Sequence, residues 1–105
     1  MMRILPSLLA FAALLGAPPV LAQEVSDRVK QTCRSVSAQT ARTIVYALRA
    51  NLDPATQVRR VPDSWLEGVQ THMLLAASRA PHLSGEELEA LGYSYCVSRR
   101  PAERQ

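Results

Sequence analysis

Two cysteines, Cys33 and Cys96, stand near opposite ends of the part of this chain that follows its apolar leader. They allow one intramolecular pairing, and whether they use it depends on the compartment the chain reaches. The compartment is written in the first residues. Met1-Met2-Arg3 is a short positive segment and Ile4 to Leu15 carries no charge, which is the layout of a secretory signal peptide. Val20 and Ala22 place modest side chains in the two subsites that signal peptidase reads, so cleavage is expected between Ala22 and Gln23. A cut after Ala17 would put Pro18 just beyond the scissile bond. Pro6, Gly16, Pro18 and Pro19 interrupt an apolar stretch that only approaches the roughly 20 residues a membrane span needs, so an uncleaved anchor is disfavoured. No stable membrane insertion is expected after cleavage. No cysteine directly follows the apolar run, which argues against a lipid-modified N-terminus.

The expected location is the periplasm or the extracellular medium, where a Cys33–Cys96 bridge is favoured over a redox pair or an intermolecular link. Neither cysteine belongs to a C-x-x-C motif. Closing so long a loop stabilises a fold by about 4 kcal/mol in the chain-entropy model, less any native strain. That matters here, because cores below about 80 residues rarely supply more than about 3–5 kcal/mol.

The rest of the chain reads as one helical domain, 23–105, with a mobile tail at 102–105. From Asp27 to about Ala50 the positions Val29, Cys33, Val36, Thr40, Ile44, Ala47 and Leu48 recur at three- and four-residue steps, giving an amphipathic helix with Cys33 in its apolar stripe. Ser26 suits its cap, Asp27 the positive end of its dipole and Arg49 the negative end. Asn51-Leu52-Asp53-Pro54 ends it and can open a short turn of helix, with Asp53 as cap and Pro54 at the first helical position. Residues 55–62 form a connector of indefinite structure. Ser64-Trp65-Leu66-Glu67 reads as a capping box with Ser64 as cap, followed by a helix to about Arg79 and a stop at Pro81. Leu74 and Leu75 fall off the apolar face of that helix, so it is expected to lie between two neighbours, the alternative being an exposed Leu75.

Ser84-Gly85-Glu86-Glu87 is a further capping box. Leu88, Leu91 and Tyr95 form one ridge across Gly92, so a single helix reaching Ser98 is preferred to a short one ended by the glycine. With Cys33 two turns into the first helix and Cys96 near the end of the last, those helices are expected to run antiparallel. The predicted fold is an all-α, up-down bundle of three or four helices closed by one disulfide between the first and last.

Composition limits the function. Of 12 Lys and Arg, Arg3 falls in the leader, leaving 11 against 9 Asp and Glu, too mild an excess to suggest nucleic acid. His72 and His82 are the only histidines, and no spacing gathers further metal ligands around them. His72 is expected to be interfacial or half-buried. No haem-attachment, phosphate-loop or nucleophile-elbow pattern occurs, and no cofactor or catalytic residue is assigned. Most carboxylates have structural work at helix starts, Glu67 and Glu87 in the boxes and Glu86 and Glu89 at the dipole.

Trp65 and Tyr95 read as core, while Tyr46 lies toward the polar side of the first helix beside Arg42 and Arg49. Arg59 and Arg60 follow in the connector and are able to extend that positive patch. These five residues, Arg42, Tyr46, Arg49, Arg59 and Arg60, are the candidate partner-binding surface, suited to an envelope protein with an acidic face. The composition also allows a solvated face that merely keeps the helix soluble. A non-enzymatic interaction module, of inhibitor, immunity or adaptor type, is the expected function. A stress holdase is the first alternative, needing buried ionisable groups for which His72 is the only loose candidate. An enzyme of unrecognised type is the second.

Overall fold

The computed structural model describes residues 24–102, so the expected leader, its expected cleavage between Ala22 and Gln23, and all but Ala102 of the expected mobile tail 102–105 lie outside the described residues. Four helices pack together in chain order: α1 (Asp27–Arg49), the one-turn α2 (Pro54–Gln57), α3 (Ser64–Arg79) and α4 (Gly85–Ser98). No strand occurs among the described residues, and the fold is all-α, as the periodicity predicts.

The Ser26 hydroxyl accepts the Val29 N–H at 3.2 Å and starts α1. Its buried stripe runs through Val29, Cys33, Val36, Ser37, Thr40, Ala41, Ile44 and Ala47. Asn51 ends it in the left-handed region, φ 59°. The Leu52 N–H then reaches back to the Ala47 carbonyl at 2.8 Å and the Asn51 N–H to the Leu48 carbonyl at 3.3 Å. This is a Schellman closure with asparagine, the side chain that best tolerates αL after glycine, at the turning position. Asp53 caps α2 by accepting the Ala55 N–H, with Pro54 first in the helix.

The start of α3 differs from the sequence reading. Asp63 is the cap, its Oδ1 accepting the Leu66 N–H at 3.0 Å, and Ser64 is the first helical residue. A carboxylate at this position meets the positive dipole end as well as an orphan N–H, which a hydroxyl one residue later does less well. The shift moves Glu67 out of the back-bonding position and toward Arg60. The box at α4 forms as expected. The Glu87 N–H donates to Ser84 Oγ at 3.1 Å and the Ser84 N–H to Glu87 Oε1 at 2.9 Å. The Ser84 backbone bond, then its side-chain bond, hold the Glu87 carboxyl below its ordinary pKa.

Cys33 and Cys96 are joined, with Cα atoms 5.6 Å apart and both side chains wholly buried. The bridge, the approach of Ser37 to Gly92 and that of Val45 to Gly85 show α1 and α4 running antiparallel. α4 continues through Gly92 to Ser98. Its buried ridge is Leu88, Gly92 and Cys96, at steps of four, whereas Leu91 is 39% exposed and not part of the expected Leu88–Leu91–Tyr95 ridge. Gly92 is the reason: it faces both Met73 and Ser37, and a Cβ there would run into Met73 Sδ and stand 2.9 Å from Ser37 Oγ.

α3 packs against both α1 and α4, but the expected burial of Leu75 does not follow, since it remains 48% exposed. Its two neighbours cover the arc centred on Val69, Met73 and Ala77, and Leu75 lies outside that arc. Trp65 and Tyr95 are half-buried against the core, not within it. The Trp65 indole N–H donates to the Cys96 carbonyl at 2.9 Å, tying α3 to the bridge. Gln70, 3% exposed, fixes the connector: its Nε2 donates to Thr40 Oγ1 and the Arg59 carbonyl, and its Oε1 accepts the Val61 N–H.

Candidate functional site

At an end of the α1/α4 pair remote from the disulfide, residues 42, 46 and 49 lie at spacings that keep them on one side of α1. Arg42, Tyr46 and Arg49 are all exposed, Tyr46 at 61% being the most exposed large apolar side chain described. Together with Ala41 and Val45 they form one wall and part of the floor of a cleft of about 580 Å³. Ser84, Gly85, Glu86 and Glu89 of α4 supply the opposite wall. The floor is narrow because Gly85 lets α4 approach Val45 closely; a Cβ at Gly85 would be 3.4 Å from Val45 Cγ2. A second hollow, about 480 Å³, continues along the same helix pair past Glu86 and Glu89 to Arg34 and Tyr93, where the Arg34 guanidinium lies 5.8 Å from the Tyr93 ring centre.

The cleft therefore has a positive edge on α1 and a negative edge on α4. Among the described residues the one ion pair is Arg60 with Glu67 at 3.8 Å, so Arg42, Arg49, Glu86 and Glu89 face the cleft without pairing across it. In the sequence Glu86 and Glu89 read as acidic residues at the positive end of a helix dipole, and their place on a cleft wall is not apparent there. The register imposed by the bridge contains the signal. If Cys33 is level with Cys96 on antiparallel helices, Arg42 is level with residue 87.

Arg59 and Arg60 are not brought to this cleft. They line a separate hollow of about 250 Å³ between α1 and the connector. The Arg60 guanidinium turns to α3, donating to the Glu67 carbonyl at 3.1 Å and to Thr71 Oγ1. It fastens the connector to α3 and does not extend the row begun by Arg42. Arg59 offers an exposed side chain, and its carbonyl is taken by Gln70. Leu75, Leu74, Leu48 and Pro54 line a further hollow of about 430 Å³.

His72 is half-buried, stacked on Tyr95 with ring centres 4.1 Å apart and planes 10° from parallel. The Arg99 guanidinium stands 4.8 Å from the Tyr95 ring centre. This stack joins α3 to α4 and its end, while His82 is exposed in the turn between them. No group of three or more His, Cys, Asp or Glu side chains able to hold a metal converges among the described residues. Comparison with protein-family models, curated proteins and solved structures finds no significant match to this chain.

Proposed function

We propose that this protein is a non-enzymatic interaction module of the cell envelope, of inhibitor, immunity or adaptor type, which binds an acidic protein surface at the α1/α4 cleft. The observation that carries this reading is the cleft edge itself: two arginines free of intramolecular ion pairs flank a largely exposed tyrosine. Arg and Tyr are the side chains that interface hot spots favour, and a guanidinium makes bidentate contacts to carboxylates. Arg42 and Arg49 are two helical turns apart, about 10.5 Å along α1, so they can engage separate carboxylates.

Export is supported by the leader and by a buried disulfide, a bond that persists in oxidising compartments. No helix of the described residues is long and apolar enough to cross a membrane. The interaction reading is preferred to a holdase because the buried polar side chains of the described core are Ser37, Thr40 and Gln70, none of which titrates. Acid therefore has no buried charge to create there.

The test is the charge reversal Arg42→Glu with Arg49→Glu, followed by capture from periplasmic extract and thermal melting. Loss of a partner with an unchanged melt is the expected outcome. Unchanged capture would remove the cleft edge from consideration.

A further inference from the structure

We propose that the acidic surface taken by this cleft is that of a second copy of the chain, the two α1/α4 faces meeting about a two-fold axis that runs along the helix pair. The inference rests on the reading of the cleft as an interaction site and names its occupant. A two-fold interface needs each face to carry both halves of every contact. This face does. It has a projecting ring, Tyr46, next to a hollow floored by Ala41, Val45 and Gly85, and it has a positive edge on one helix and a negative edge on the other.

The register agrees with that axis. Rotation about a line parallel to the helices exchanges α1 for α4 across the interface and leaves each residue at its own level. Because the bridge sets Cys33 level with Cys96, Arg42 is level with residue 87. At about 1.5 Å of rise per residue, Arg42 of one copy therefore comes within about one helical turn of Glu86 and Glu89 of the other. Tyr46 is level with residue 83 and meets the start of the other copy's α4, where Ser84 and Gly85 line the hollow. Each α1 then lies antiparallel to the α4 opposite, and two helices from each copy make a four-helix arrangement of the up-down kind. The alternative axis, across the helices, would lay α1 on α1 and, centred near Tyr46, set Arg42 against Arg49 of the other copy, which like charges disfavour.

Sedimentation velocity on the exported, disulfide-intact protein through the micromolar range tests this. A monomer–dimer equilibrium is expected, and Tyr46→Ala or Arg42→Glu should each weaken it about tenfold or more, with far-UV circular dichroism melts unchanged. Arg42→Glu combined with Glu86→Arg and Glu89→Arg reverses this contact and should restore the dimer. A monomer throughout the range overturns the proposal; if that monomer still captures an envelope protein through Arg42 and Arg49, the interaction reading stands without self-association. A dimer that survives both Tyr46→Ala and Arg42→Glu also overturns it, since the contact would then lie elsewhere.

Discussion

Gly92 sits where α4 packs against both Ser37 of α1 and Met73 of α3. Its sequence context shows only an interior glycine that lowers helix propensity by about 1 kcal/mol. The reason for keeping it comes from residues 55 positions before it and 19 before it, which no local pattern brings together. Gly92→Ala should therefore destabilise the protein in spite of the better helix former. Overpacking costs about 1–3 kcal/mol, the propensity gain offsets about 1 kcal/mol of it, and a net loss of up to about 2 kcal/mol should appear as a lower urea midpoint at unchanged slope. A higher midpoint would mean that Met73 swings aside without cost. Gln70 was equally silent in the sequence. An amide in mid-helix reads as surface until the connector folds over it and Val61, Thr40 and Arg59 use up its polar atoms.

Helix boundaries were far more legible, because caps are local chemistry. Ser26, Asp53 and the Ser84–Glu87 box all act as their spacing predicts, and the end of α1 at Asn51 follows the same logic. The exception is α3, where Asp63 and Ser64 are adjacent candidates and spacing to Glu67 favours the wrong one. Asp63→Ala should cost about 1 kcal/mol in thermal or urea unfolding, whereas Ser64→Ala should change stability by only a few tenths. Equal effects would show that the two residues share the cap. The faces of the helices were legible at their centres and not at their margins. Leu75 and Leu91 are apolar residues just outside the arcs their neighbours cover, and a helical wheel cannot give the width of that arc. Of the candidate site, the row Arg42, Tyr46 and Arg49 follows from spacing on one helix. Its acidic wall needs the register of two helices, which the disulfide supplies only after the pairing is used as a ruler.

At the scale of the whole molecule, the Cys33–Cys96 bond links the first and last helices across 63 positions. Cys33→Ser and Cys96→Ser should each lower stability by about 4 kcal/mol, less any strain relieved, and the double variant should be no less stable than either. Denaturant titrations of the three variants measure this; a double variant clearly worse than both singles would show that the cysteines contribute by separate packing and not by a shared bond. The same bond turns most of the described chain into a covalent ring. Everything from Cys33 round to Cys96 is inside it, including the exposed Arg59 in the connector. A protease that cuts after Arg59 opens the circuit without separating its arcs. One arc keeps the arginine edge of the cleft, the other keeps the glutamate edge, and the two remain one molecule.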